Sequence, residues 1–330
     1  MNKAPRARVA RRPVHGVLLL DKPLNWSSND VLQKVKWLLR AEKAGHTGTL
    51  DPLASGVLPL CFGAATKFSQ LQLDADKTYE AVLQLGIKTT TADAEGEVIA
   101  TRQVAVTAAD LQRVAPQFTG LISQVPPMHS ALKKDGKALY AYARAGIEVQ
   151  RDARQVHIRH LGLALEQDEQ QRPVVRITVA CSKGTYIRTL GEDIGEALGC
   201  GAHLSFLRRT ATGGFTQSQC ITLAALQAMT EHERESRLLP VSSLVSDHLV
   251  ITLDSADAGR FLSGLRRRGA WPDADRVAVY GPDGALLGSA HVRAGELIPQ
   301  RLLNPDEIQQ IAQPTPGAGA MADNTVISVC

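Results

Sequence analysis

The chain has 330 residues, 44% of them hydrophobic and 21% charged, so it can bury a sizeable core and is too long for one small module. Its 37 Lys and Arg stand against 33 Asp and Glu, a formal charge of +4 that is too small on its own to name a polyanionic partner. Five scattered cysteines (Cys61, Cys181, Cys200, Cys220, Cys330) form no CxxC pair, which argues against a disulfide framework and against a zinc site.

Residues 1–12 carry five basic side chains (Lys3, Arg6, Arg8, Arg11, Arg12) and no acid, and read as a disordered basic arm. The apolar run at 16–20 is too short for a signal peptide's apolar core, and nothing approaches the roughly 20 apolar residues of a membrane span. A cytoplasmic protein with no membrane contact is the expectation. Residues 14–20 read as a short buried strand. Ser27 or Ser28 then caps a helix in which Val31, Val35, Leu38 and Leu39 recur at helical spacing. A Gly-, Thr- and Pro-rich stretch, 45–56, reads as an irregular loop. A strand over 57–61 and a helix over 65–73 follow. KTYEAVLQLG, residues 77–86, alternates as a half-buried strand does. Thr107 caps an amphipathic helix that reaches Phe118.

Residues 120–152 contain Pro-Pro, several lysines and the pair Tyr140 and Tyr142, and read as a long mobile projection with one helix near 138–145. Strands over 156–165 and 173–181, a helix over 184–198, a strand over 203–210 and two helical segments between 222 and 239 complete a large domain. From about Leu249 short β runs flank the turn GPDG, and the residues after Gln313 form a low-complexity tail expected to be unordered. Two more basic patches stand out. Residues 133–154 hold six basic against three acidic side chains, and Arg260, Arg266, Arg267 and Arg268 cluster with no acid nearby. Such patches suit a polyanion touched at several points, or simply solvated faces.

Chemistry concentrates in GHTGTLDPLASGVLP, residues 45–59. Gly45, Gly48 and Pro52 fix a tight course before and after the loop's centre, and Thr47 and Thr49 can hydrogen-bond the turn's own backbone. One carboxylate, Asp51, lies between Leu50 and Pro52. On residue types alone it is either a turn-capping Asp or a pre-positioned nucleophile or base. The loop contains neither GxxxxGK(S/T) nor GxGxxG, which excludes the familiar nucleotide-binding loops.

The loop resembles the catalytic motif of the bacterial pseudouridine synthases that modify uridine 55 in the T-loop of tRNA, the TruB family. Further blocks are similar to that family in its order: GVLLLDKP (16–23), ATKFSQ (65–70), DKTYEA (76–81), TTTADAEG (89–96), VPPMHSALKKDGKALYAYARAG (125–146), CSKGTYIRTLGEDIGEALGC (181–200) and HLSFLRRT (203–210). The resemblance covers roughly 14–245, with weaker support to about 305. It implies an α+β pseudouridine synthase fold: a mixed, largely antiparallel central sheet flanked by helices and loops, plus a small C-terminal β-rich PUA-like domain. The implied division is a basic arm (1–12), a catalytic domain (13–248) bearing a tRNA-clamping insertion (120–152), an RNA-binding PUA-like domain (249–312) and a tail (313–330).

The same resemblance implies that Asp51 is the nucleophile, attacking ribose C1′ or assisting formation of a glycal. Either route breaks the N-glycosidic bond, lets the uracil turn, and joins C5 to C1′. It implies that Tyr79 stacks on the flipped uracil and helps remove the C5 proton, that Arg188 pairs with Asp51, that Tyr186 closes the pocket and that Leu207 is its apolar wall. Lys22 and Pro23 would support the floor. His46 would stack within the T-loop where the target base has left, and Asp93 would help hold the RNA loop. In the clamp, Lys133, Lys134, Lys137 and Arg144 would face phosphates. His129 places a flat ring where the family often has an aromatic side chain. No metal, nucleotide or redox cofactor is implied, the partner is the tRNA T-arm, and a monomer is the default. By residue type alone Tyr79 and Leu207 also suit a plain core, Arg188 a solvent-facing helix start, and Lys22, His46 and Asp93 ordinary turns. Two further functional readings are a non-catalytic RNA-binding protein on the same scaffold and a guide-RNA-dependent enzyme.

Overall fold

Nine successive buried residues, ASGVLPLCF, make Ala54–Phe62 a strand covered on both faces, and the rest of the fold is arranged around it. Leu58, Leu60 and Phe62 enter the main core, whereas Val57 and Cys61 enter a second apolar cluster on the opposite face. The computed structural model describes residues 10–312; the expected tail from 313 and the arm up to residue 9 lie outside the described residues. Arg12, read as arm, belongs to the folded body: its amide donates to Arg40 O, and its side chain pairs with Glu231 and Glu235.

The central sheet has ten strands. From one edge they run Ile221–Thr222, Gly16–Lys22, Ala54–Phe62, Ala202–Thr212, Lys77–Leu85, Pro173–Cys181, Arg154–Gln167 and Gly120–Gln124. Ala44–His46 and Phe215–Thr216 add short partners to Ala54–Phe62 and Ala202–Thr212. Two pairings are parallel, Gly16–Lys22 with Ile221–Thr222 and Ala54–Phe62 with Ala202–Thr212; the others are antiparallel. The sheet is mixed and largely antiparallel, as the family resemblance implied. Alternation in KTYEAVLQL turns Tyr79, Ala81 and Leu83 toward the main core while Glu80 stays exposed.

Helix Ser28–Leu38 starts at Ser27, whose hydroxyl accepts from the Asp30 amide, and buries Val31, Val35 and Leu38. Thr107 caps Ala108–Val114 in a reciprocal capping box with Asp110, and the segment to Phe118 tightens into a 3₁₀ turn. Helix Ile187–Ala197 begins three residues later than expected, with Tyr186 at its N-cap position, and packs Ile187, Leu190 and Ile194 into the core.

Three expectations need correction. The stretch 45–56 is not all loop, because Ala44–His46 pairs with Leu60–Phe62 and the next strand already starts at Ala54. The insertion's first residues are not a projection, because Gly120–Gln124 is an edge strand on Arg154–Gln167. What projects is a tiny hairpin, Lys133–Lys134 with Lys137–Ala138, followed by helix Leu139–Ala143. Lastly, the arginine run near 266 has acids beside it in space: Arg266 and Arg268 pair with Glu296, and Arg260 and Arg267 with Asp257.

After residue 248 a five-stranded sheet forms in the order Leu249–Thr252, Ala274–Tyr280, Leu286–Arg293, Glu296–Leu302 and Arg267–Arg268. Helices Ser255–Leu262 and Pro305–Ala312, not anticipated from the residues, accompany it. Ala278, Leu286 and Leu303 of this unit share an apolar cluster with Val17, Leu19 and Val57 of the central sheet.

Candidate active site

Asp51 sits in the short connection between Ala44–His46 and Ala54–Phe62, and that connection is pinned atom by atom. Ser28 Oγ accepts from the Leu50 amide at 2.8 Å and donates to Leu50 O at 3.0 Å, so one hydroxyl fixes both polar groups of the preceding residue. Asp51 O accepts from the Ala54 amide at 3.0 Å, and Pro52 O from the Asn25 amide at 2.8 Å. Lys22, with no exposed surface, donates from Nζ to Trp26 O, Pro23 O and, at 3.4 Å, Pro52 O. Burial pushes its ammonium down to about 8 although the nearby Asp51 charge opposes the shift. Lys22 therefore braces the loop from below and does not line the cavity above it.

The Asp51 carboxylate faces the guanidinium of Arg188, Oδ2 to Nε 3.0 Å. Arg188 is 5% exposed and every side of its fork is used: Nη2 donates to His129 O at 2.7 Å, Nη1 to Thr91 O at 3.3 Å, and Asp93 Oδ2 stands 3.5 Å from Nη1. Arg188 is thus shared by two carboxylates and two carbonyls, a geometry that a lysine's single ammonium could not satisfy. Asp93 is 3% exposed, and its Oδ1 accepts from the Thr91 hydroxyl and the Glu95 amide. Both of its oxygens point inward, so it holds Arg188 and the 91–95 turn. Asp51 keeps 36% of its side-chain surface open. Burial pushes its carboxyl above the ordinary value; Arg188 and then Lys22 pull it down, while Asp93 adds to the upward push.

Above this pair lies a cavity of about 900 Å³. Asp51, Tyr79, Asp93, Tyr186, Arg188 and Leu207 all line it, so these six residues singled out from the sequence meet at one cleft. Tyr79 and Leu207 reach it from neighbouring strands, Leu207 pairing with Ala81 on one side and Ala54 on the other. Tyr186 is held by Gln124, which accepts from its amide at 3.1 Å and donates to its carbonyl at 3.3 Å. The insertion supplies an overhanging wall that includes His129, Ser130, Tyr140 and Arg144. His46 and Lys22 do not line the cavity. His46 is partly buried, its Nδ1 has no hydrogen-bond partner among the described residues, and burial pushes its ring pKa down, with the Arg209 charge adding to that.

Reading the residues missed Arg209, the largest fully buried side chain, and Ser28 as a clamp on Leu50. Both fall inside segments that drew attention for other reasons, Ser28 as a helix cap and HLSFLRRT for Leu207. A tertiary hydrogen bond to residue 50 leaves no mark at position 28. Two successive arginines in a strand did carry a signal, since successive strand side chains face opposite ways and an inward position seldom takes a charge.

Residues 36–187 match the family model of the TruB family pseudouridylate synthase (N terminal domain), and residues 188–246 that of the tRNA pseudouridylate synthase B C-terminal domain. The chain is 63% identical over 322 residues to a tRNA pseudouridine synthase B of Verminephrobacter eiseniae, covering 96% of this chain and 97% of the relative. It is 56% identical over 305 residues to the protein of that name in Ralstonia nicotianae, covering 91% and 97%. Among solved structures it is similar to a Cbf5–Nop10–Gar1 complex, with TM-score 0.68 and 26% identity over 89% of this chain and 87% of that one. It is also similar to an H/ACA RNP bound to a substrate RNA containing 2′-deoxyuridine, with TM-score 0.66 and 25% identity over 89% and 86%. With a pseudouridine synthase fold and relatives that match it almost end to end, the chain belongs to the TruB family of pseudouridine synthases.

Proposed function

We infer that this protein is an isomerase that converts uridine 55 in the T-loop of tRNA to pseudouridine. The observation that carries the reading is the Asp51–Arg188 pair, 3.0 Å apart, facing a cavity walled by Tyr79, Tyr186 and Leu207. A base stacked in a folded RNA loop must leave its stack to meet a carboxylate so placed, at a cost of a few kcal/mol recovered from stacking and pocket contacts. Asp51 then acts on the ribose as nucleophile, or assists glycal formation. Tyr79 stacks on the uracil and helps remove the C5 proton, Tyr186 closes the pocket and Leu207 walls it. Lys22 supports the loop from beneath. Asp93 acts through Arg188 and not on the RNA, because both of its oxygens are engaged inside the protein. His46 stacks within the T-loop where the target base has left.

The catalytic unit spans 13–248, and 249–312 is a PUA-like unit that meets the acceptor-stem side of the tRNA. The enzyme works on tRNA as a monomer in the cytoplasm. No described helix is long and apolar enough to cross a membrane. Making pseudouridine replaces the C5–H bond by C5–C1′, so tritium at C5 must be released. Unmodified tRNA labelled at C5 of uridine should release one tritium equivalent, and the transcript with cytidine at the T-loop position should release none. Release from both transcripts, or from neither, would sink the assignment.

The exposed lysines of the hairpin, Lys133, Lys134 and Lys137, support a clamp on the tRNA backbone, and they favour an enzyme that works without a guide RNA. Ser130, Leu132, Tyr140 and Arg144 line the cavity, so removing the whole segment would disturb the chemistry as well. Replacing the three lysines by alanine isolates the charge. Filter binding should then show about tenfold weaker tRNA affinity and a log–log salt slope shallower by about 2, with the single-turnover rate on bound tRNA unchanged. An unaltered salt slope would refute the clamp.

A further inference from the structure

Arg209 is 1% exposed, yet among the described residues its guanidinium meets carbonyl oxygens and no carboxylate: Nε donates to Val57 O at 2.7 Å and Nη2 to Gly48 O at 3.2 Å. A buried cation without an ionic partner is expensive to keep, and an apolar side chain of similar volume would ordinarily serve the packing better. Lys22 and Lys77, also buried, share this surrounding and likewise donate only to carbonyls. Burial pushes both lysines down to about 8, and Arg209 adds to each shift, whereas a guanidinium keeps its proton. Arg209 is thus the permanent charge beneath the cleft.

Its place in the sheet is specific. On one side Arg209 pairs with Gly56, at the start of the strand that follows the Asp51 loop; on the other it pairs with Tyr79. The Gly56 contact admits no side chain, since a Cβ there would lie 2.1 Å from Arg209 O and the backbone holds φ at +104°. Burial pushes the Tyr79 phenol up, and Cys181 and Asp51 add to that push, whereas the Arg209 guanidinium across the strand pair pulls it down.

We propose that Arg209 is a positioning residue of the isomerisation: it locks the Asp51 loop to the strand carrying Tyr79 and holds a fixed positive charge against the Tyr79 hydroxyl. In that field the phenol oxygen takes on negative charge more readily, as befits the group placed beside uracil C5. This role presupposes the isomerase reading of the cavity, but its electrostatic half is measurable in the free protein.

Full-length enzyme with a difluorotyrosine at position 79, whose phenol titrates lower than tyrosine's, gives a fluorine NMR midpoint for that side chain alone. Arg209→Gln keeps two donors for the carbonyls and removes the charge; its midpoint should rise by about one pH unit, the scale of one buried neighbouring charge. Its single-turnover rate on saturating tRNA should fall by about 10²-fold, with tRNA affinity held, as for a misplaced reacting group. Arg209→Lys keeps the charge but cannot bridge Val57 O and Gly48 O together; its midpoint should stay near wild type while its rate drops. If the glutamine variant does not fold, the lysine variant carries the test, and a wild-type rate or a raised midpoint in it overturns the assignment. A glutamine midpoint equal to wild type does the same. Failure of the wild-type chain to release tritium from tRNA would instead remove the isomerase reading and leave the titration result standing.

Discussion

Asp51→Asn is expected to bind tRNA as well as the wild-type chain and to make no pseudouridine. Asparagine keeps the shape of the side chain, and its amide oxygen can still accept from Arg188 Nε where Asp51 Oδ2 does now. The loop's own bonds, from Ser28 to Leu50 and from Ala54 to the carbonyl of residue 51, do not involve the carboxylate. What is lost is a negative charge facing a polyanionic substrate, so affinity should stay within about threefold, or about 0.7 kcal/mol, and should lean toward tighter binding. What is also lost is the open carboxylate that Arg188 holds toward the cavity. Tritium release on bound tRNA should therefore fall by about 10⁴-fold or more, the scale seen when a nucleophile is removed and binding is kept. Release comparable to wild type would move the chemistry to another residue.

Much of the frame was legible because its causes are local. Thr107 with Asp110 and Ser27 with Asp30 announce helix starts within four residues, and alternation through KTYEAVLQL fixes which face Tyr79 takes. The short strand Ala44–His46 was not legible, because three residues, one of them glycine, pair only when Leu60–Phe62 is already in place. The helices Ser255–Leu262 and Pro305–Ala312 each have about two turns, too few for a period to show among β runs. Charges misled for the same reason. Arg266 and Arg268 look unopposed along the chain, but Glu296 reaches them across an antiparallel pair some 30 residues on. The resemblance named six residues that line one cavity, yet only the fold shows that both Asp93 oxygens bond within the protein and that Lys22 bonds the loop's carbonyls without lining the cavity.

Arg188→Gln is expected to make catalysis depend on pH in a way that a merely loosened site would not. The carboxyl of Asp51 is already pushed above its ordinary value by burial, and Arg188 is the largest influence holding it down. An ionised Asp51 is needed to react, so kcat/KM falls as pH drops through its pKa. Taking away the cation removes the downward pull, which moves that pKa further up and carries the acid limb to higher pH, by about one to three units for a charge in direct contact. At neutral pH the glutamine variant should thus lose about 10²-fold or more in rate, and part of that loss should return as the pH is raised. Arg188→Lys keeps the charge but offers one ammonium where four oxygens now accept, so its acid limb should stay near wild type while its rate falls at every pH. Stability adds an independent reading, because without Arg188 the Asp93 carboxylate, 3% exposed, is a buried charge lacking its cation, a loss of about 3 kcal/mol. Asp93→Asn in the Arg188→Gln background should recover much of the lost melting temperature and little of the lost rate. A glutamine variant whose activity falls equally at all pH values would show that Arg188 holds the loop in shape without governing the charge on Asp51.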